Sequence, residues 1–376
     1  MKPESAVCRH DAVVLLRRDR EPPQHETVIH RDIAMRIADL LDVPFDGFFD
    51  PERHGGKHCY FVPSETLVGN SLRESLGITN EMDLFGGCAL HSFMPTKAIT
   101  HGLFSAGAQH PEGWSDAFGR QVAEATLPGF TVFSLSDARQ AAQRLLADHD
   151  AIRLKPVHAT AGRGQVLITR LAQLDAALAE QDLTSLTHCG LVLETHLNHV
   201  TTYSVGQVRL PGLTASYVGT QCLTRDNRGE QVYGGSRLRF SRGDYDALCA
   251  LPLDEDCRRA VELAQQYDAA AQACYPGFFA SRRNYDVAAG TDARGTRRMG
   301  VLEQSWRIGG ASRAEIAALE VLAADPACHA LWAETLELFG TADSAPPHAV
   351  ETFAGDDPNL GLIRKYVMVE AYGNKQ

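Results

Sequence analysis

The sequence predicts a protein of mixed character, α/β at its start and α+β beyond, and three observations predict it. The first ninety or so residues combine short strands with a clear helix over 31–41, where Ile33, Ile37, Leu40 and Leu41 approximate helical spacing. From residue 129 the order reads strand, helix, strand, glycine turn, strand, helix, strand. The middle connection is too tight for a right-handed crossover, so those strands run antiparallel. Beyond Tyr203 alternating strands succeed one another over 204–210 and 215–224.

Each element has a local reason. Residues 59–69 read as a strand and turn leading to a second helix near 72–76. In the unit that starts at 129, Ser136 reads as the N-cap of a helix running to about 147, followed by a strand over 151–157. HATAGRGQ is the glycine-bearing turn, VLITR the returning strand, LAQLDAALAEQ a helix and GLVLETHL another strand. A long helix over 254–275 carries apolar residues at Val261, Leu263 and Ala264 and again at Ala269, Ala270 and Ala273. Two strands joined by a Gly/Asp-rich turn follow, and helices over 312–324 and 327–339 close the unit. PP and GDDPN punctuate what reads as a short tail.

Composition bounds the function. With 376 residues, 22% charged and 44% hydrophobic, this is an ordinary globular chain long enough for two or three subdomains. A net charge of −11 argues against nonspecific nucleic-acid binding but allows a local phosphate-binding cluster. Nine scattered cysteines without a C-x-x-C pair fit reduced thiols rather than a disulfide framework or zinc site. The first apolar stretch is too short and interrupted for a signal peptide, and no window suits a membrane span. The expectation is a cytoplasmic protein with no membrane or nucleic-acid partner, and a homodimer by base rate.

The most informative stretch is MGVLEQSWRIGGAS, residues 299–312. A strand there puts Glu303, Ser305 and Arg307 on one face before Gly309 and Gly310 end it. A carboxylate and a hydroxyl suit Mg²⁺, and a guanidinium suits phosphate. An edge strand with a solvated polar face is the competing reading. Upstream stand Lys97, Lys155 with its glycine turn, Glu194 at a strand end and Asp286 on a strand. Glycines 162 and 164 let backbone N–H groups turn inward around a triphosphate, although no G-K-[ST] follows as in a Walker A loop. An ordinary hairpin with an exposed lysine is the alternative there.

In this order the features resemble the ATP-grasp superfamily of ligases over roughly residues 90–325, and the chain looks like a bacterial group of uncharacterised ATP-grasp-like proteins. The resemblance implies two α+β lobes enclosing a nucleotide, preceded by a small α/β domain. The corresponding boundaries are 1–95, 96–200 and 201–376, the middle part holding the linker helix and small lobe. It implies that Lys97, Lys155, Gly162 and Gly164 hold ATP phosphates and that Glu194 accepts from the adenine amino group, with Leu197 packing nearby. Thr202 stands where the family often has a ribose-binding acid, unless the register is off by one. Asp286, Glu303 and Ser305 correspond to the metal ligands, with Ser305 in place of asparagine. Arg307, with Lys155, would stabilise charge on the transferred phosphate. A turn-proximal surface acid is the alternative for Asp286, a structural salt bridge for Arg307 and a solvated helix-start lysine for Lys97.

The implied cofactors are ATP and Mg²⁺ or Mn²⁺. The implied reaction activates a small-molecule carboxylate as an acyl phosphate, forming ADP, for attack by an amine or other nucleophile. A kinase or carboxylase variant of the scaffold, or a nucleotide-binding protein without catalysis, are the alternatives. On the acceptor side Ser236, Arg237 and Arg239 read as substrate-facing, against a solvated basic loop. His101 reads as local structure.

Overall fold

A computed structural model describes residues 9–16, 23–158, 164–341 and 344–371. The chain opens with β1 (Ala12–Leu16), α1 (Gln24–Leu41), β2 (Phe45–Phe48), α2 (Pro51–His54) and β3 (Cys59–Pro63). The three strands form a parallel sheet in the order β2-β1-β3. α1 starts directly after Pro23, so the predicted helix over 31–41 is its C-terminal part. It buries Ile33 and Ile37 against Val13, Leu15 and Tyr60. β4 (Leu67–Val68), α3 (Asn70–Ser75), a 3₁₀ turn (Glu81–Asp83) and β5 (Gly87–Ala89) follow. β5 pairs with β4 and with a strand from much later in the chain, β13 below, in a separate small sheet of order β13-β5-β4.

A second 3₁₀ turn (Lys97–Thr100) and α4 (Asp116–Val122) lead into a four-stranded antiparallel sheet. It comprises β6 (Gly129–Val132), β7 (Ile152–Pro156), β8 (Val166–Ile168) and β9 (Leu191–Thr195), in the order β6-β9-β7-β8. The predicted tight strand-turn-strand is the β7–β8 pair. α5 (Leu135–Asp148) and α6 (Leu171–Ala179) bury Ala138, Ala141, Leu145, Leu174 and Leu178 on the sheet residues Val132, Ile152, Leu154 and Leu193. The N-cap of α5 is Ser134, not Ser136: its extended backbone lets its hydroxyl accept from Asp137 N. A short helix absent from the sequence reading, α7 (Leu183–Cys189), is capped by Asp182.

The largest unit is an eight-stranded antiparallel sheet in the order β15-β14-β10-β11-β12-β16-β18-β17. Its strands are β10 (Asn198–Leu210), β11 (Leu213–Arg225), β12 (Gln231–Arg242), β14 (Arg282–Thr291), β15 (Arg297–Ser305), β16 (Ala330–Phe339), β17 (Val350–Asp357) and β18 (Gly361–Ala371), with the short β13 (Phe279–Ala280) outside it. Between β12 and β13 run α8 (Tyr245–Cys249) and α9 (Glu255–Cys274), and α10 (Ser312–Ala324) follows β15. α9 packs Val261, Leu263 and Tyr267 on the face that presents Val205, Val218, Tyr285 and Val287. α10 packs Ile316 and Leu319 on the opposite face, against Val208, Tyr217, Leu238 and Phe240.

Two further expectations are corrected. Residues 330–339 form strand β16 rather than part of a helix over 327–339: Leu331, Ala333 and Thr335 are buried while the residues between them are less so, a period of two. The supposed tail is the β17–β18 hairpin, which completes the sheet at the edge far from β15. No described helix is long and apolar enough to cross a membrane.

Candidate functional site

The site begins where β14 and β15 lie side by side. Their register sets Asp286 directly opposite Glu303 and Asn284 opposite Ser305. Directly opposed residues of an antiparallel pair share a face, with Cβ atoms roughly 4.5–5.5 Å apart. Alternation sends the other set inward: Gln304 donates to the Met94 and Thr96 carbonyls at 2.6 and 2.7 Å, and Trp306 is buried against Phe278 and Tyr285. The predicted alternation of Glu303 and Ser305 against the core is therefore built, and β15 is also the sheet's edge strand.

The acids are electrostatically frustrated. Burial pushes the Asp286 carboxyl up, the charge of Glu303 adds to this, and hydrogen bonds from Gln221 and Asn284 only partly offset them, so it rises to about 6. Its Oδ1 accepts from Gln221 Nε2 at 2.9 Å, Asn284 Nδ2 at 3.0 Å and Ser204 Oγ at 3.5 Å. Glu303 Oε2 lies 3.1 Å from the buried Lys97 Nζ. Two carboxylates forced together, each supported from outside the pair, suit a divalent cation, which would remove the repulsion.

Behind this pair runs a buried network from α10. Arg282, fully enclosed, binds Glu315 at 2.7 Å and donates from its other terminal nitrogen to Ser305 Oγ at 3.1 Å and the Arg307 carbonyl at 2.6 Å. Tyr217 donates to Glu315 at 2.5 Å, and its hydroxyl oxygen lies 3.0 Å from Asn284 Oδ1. Ser305 is thus held in place by Arg282. Arg307 lies half-buried just past the strand, one nitrogen donating to the Ile308 carbonyl at 2.7 Å.

The four-stranded sheet supplies the second half. Lys155 on β7 and Glu194 on β9 form a buried ion pair, and His101 Nε2 lies 3.1 Å from the other Glu194 oxygen. Burial alone would raise the Glu194 carboxyl, but the Lys155 charge and the His101 hydrogen bond hold it down to about 2. Both its oxygens already accept within the protein, so Glu194 orients Lys155 and His101. Gly164 has φ +67°, the left-handed backbone expected in a phosphate-facing turn, while Gly162 lies outside the described residues. Leu197 packs with Leu127, Ala288 and Leu302 across the two sheets.

One short segment joins the halves. Lys97 on the 3₁₀ turn reaches Glu303, and His101, just past its end, reaches Glu194. His101, expected to be local structure, is buried and joins the connected set of charges through Glu194. Asn284 and Gln221 were also missed. The N-x-D pattern of Asn284 and Asp286 mirrors Glu303-x-Ser305 and was the available signal for Asn284; nothing local marks Gln221. Along β10, Ser204 rather than Thr202 stands opposite Asp286, and Thr202 occupies the same face two residues earlier.

The acceptor-side expectation divides by face. Ser236 pairs opposite Gln221 and so shares the face of the acids, where its hydroxyl lies 2.8 Å from Tyr233 Oη. Arg237 and Arg239 do not face the acids. Alternation along β12 puts them on the other side, where Arg237 lies over Trp332 and pairs with Glu334 and Glu370, and Arg239 donates to the Pro252 carbonyl.

Residues 13–367 match the family described as "Protein of unknown function (DUF3182)". The chain belongs to this family. No curated protein matches the sequence. Among solved structures, the DUF3182 chain is similar to N5-carboxyaminoimidazole synthetase from Staphylococcus aureus in complex with ADP, at 11% identity and a TM-score of 0.55, over 96% of this chain and 93% of that one. It is similar also to an ADP complex of N5-carboxyaminoimidazole ribonucleotide synthetase, at 10% identity and a TM-score of 0.51, over 96% and 93% of the two chains. At such identities the likeness speaks to fold alone: the chain has the fold of these two synthetases, the ATP-grasp fold.

Proposed function

We propose that this DUF3182 protein is an ATP- and Mg²⁺-dependent, ADP-forming ligase that activates a small-molecule carboxylate for attack by an amine or similar nucleophile. The observation that carries this reading is the chain of charges that runs from Asp286 and Glu303 through Lys97 to His101, Glu194 and Lys155. It sets an acidic pair for a cation next to lysines for phosphates, on opposing sheets of a fold whose similar structures hold ADP.

In this reading Asp286 and Glu303 would hold Mg²⁺, with Ser305 beside them, and the metal would supply positive charge against the triphosphate. Lys155 and Lys97 orient the triphosphate, Lys97 exchanging Glu303 for phosphate oxygens. Arg307 faces the transferred group. The substrate carboxylate attacks the γ-phosphorus and ADP leaves; the nucleophile then attacks the acyl carbon and inorganic phosphate leaves. These steps need positioning and charge neutralisation rather than a nucleophilic side chain. Ser236, on the acid-bearing face of the sheet, is the acceptor-side residue that retains this role.

The test is ADP release by the purified protein with Mg·ATP and pooled metabolite carboxylates, with and without an amine pool. The expected outcome is ADP and free phosphate only when both pools are present. Phosphate retained on a substrate would instead mean a kinase, and no release with any pool would leave a nucleotide-binding protein.

A further inference from the structure

A second constellation lies in the amino-terminal sheet, built from none of the residues above. His10 precedes β1, His58 precedes β3, and Asp83 ends the first 3₁₀ turn. Their ligand atoms, the two Nε2 nitrogens and one carboxylate oxygen, all lie within 4.8 Å of one another. Asp83 Oδ1 is 3.2 Å from His58 Nε2 and 3.6 Å from His10 Nε2. Donors at about 2.0–2.2 Å from a tetrahedral zinc ion sit roughly 3.3–3.5 Å apart, so these separations bracket the edges of such a site.

Three features set this apart from a chance surface grouping. The His10 side chain is only 5% exposed, and its Nε2 is directed into the cluster, facing Asp83 Oδ1 at 3.6 Å with no closer hydrogen-bond partner. Asp83 is held for single-oxygen ligation: its Oδ2 accepts from Thr79 N at 2.8 Å, Thr79 Oγ1 at 2.9 Å and Asn80 N at 3.1 Å, which leaves Oδ1 to face both rings. Such outer support is what orients ligating carboxylates. The His58 side chain, 35% exposed, opens the cluster to solvent on one side.

We propose that His10, His58 and Asp83 form a zinc site with one position open to water, clipping the starts of β1 and β3 to the 3₁₀ turn between β3 and β5. Two imidazoles with a carboxylate suit zinc rather than Mg²⁺, which prefers oxygen ligands and retains its waters. The site is independent of the nucleotide-binding reading.

The test strips the full-length protein with a chelator and titrates it with Co²⁺, followed by Zn²⁺. The expected result is one equivalent of Co²⁺ with the visible absorption of a tetrahedral centre, displaced by Zn²⁺, unaffected by excess Mg²⁺, and accompanied by a rise in melting temperature. His58→Gln, at the most exposed ligand, should lose both the absorption and the zinc-dependent stabilisation, whereas His110→Gln, at an exposed histidine elsewhere, should keep them. Absence of the tetrahedral spectrum in the unsubstituted protein would overturn the proposal, and so would equal uptake by the folded His58→Gln variant. The first of these does not depend on any variant folding.

Discussion

Asp286 is charged at neutral pH against the tendency set by its burial and by Glu303, with a carboxyl raised to about 6. Its folded value exceeds its ordinary one, so the stability associated with its protonated form is lost as pH rises through about 6. Asp286→Asn removes the repulsion and keeps an oxygen for Gln221 and Asn284. In metal-free solution this variant should melt higher than the parent above pH 6 and converge with it below, a comparison read directly from melting curves across pH. Glu194 has the opposite sign. Its carboxyl sits at about 2 against an ordinary 4.5, so the stability it contributes is fully present above pH 4.5 and disappears as pH falls toward 2. Glu194→Gln leaves the buried Lys155 charge without its partner, a change that costs on the order of 3–5 kcal/mol. Chemical denaturation at pH 7 should show that loss, and the parent's advantage should shrink as the pH is lowered below 4.5.

Single positions differed in how legible they were. Asp286, Glu303, Lys97 and Lys155 each carry a charge in a pattern that strand alternation and glycine placement make readable, and the structure brings all four into one connected set. Gln221 was not readable, because its relation to Asp286 exists only through the pairing of β10 with β11 and β14. Arg237 and Arg239 misled for a related reason. Arginines in a glycine-rich stretch look like a binding loop until β12 is known to be a paired central strand that sends odd and even positions to opposite faces.

At the scale of elements, β14 and α10 are joined by Arg282 and Glu315, both completely enclosed. Burial alone would lower the Arg282 value, but Glu315 and Tyr217 more than offset it. Arg282→Met strands the Glu315 charge and should destabilise by about 3–5 kcal/mol, whereas Arg282→Met with Glu315→Met should recover most of that loss. Urea unfolding of the two variants checks this, and equal stability of both would mean that the pair contributes nothing beyond its volume. Elements with strong local signals, such as α1, α5, α9 and the β14–β15 hairpin, were legible. β16 was not: ALWAETLELF is rich in good helix formers, and only pairing with β12 and β18 makes it a strand. The β17–β18 hairpin was lost with it, since an edge hairpin has meaning only against the strand it extends.

For the whole molecule, two antiparallel sheets are coupled by a small apolar cluster, Leu127, Leu197, Ala288 and Leu302, and by the segment carrying Lys97 and His101. The order of Lys97, Lys155, Glu194, Asp286 and Glu303 was readable along the chain because each stands on or beside an element with its own local signal. The substrate was not, because acceptor pockets are made by loops and side-chain faces that single positions do not announce. The central claim is that Asp286 and Glu303 jointly hold the cation of a bound Mg·ATP. The most direct measurement is calorimetric titration of the protein with ATP, with and without Mg²⁺, repeated on Glu303→Gln. ATP affinity should rise markedly on adding Mg²⁺ to the parent protein and change little in the variant; equal Mg²⁺ dependence in both, or none in the parent, would contradict it.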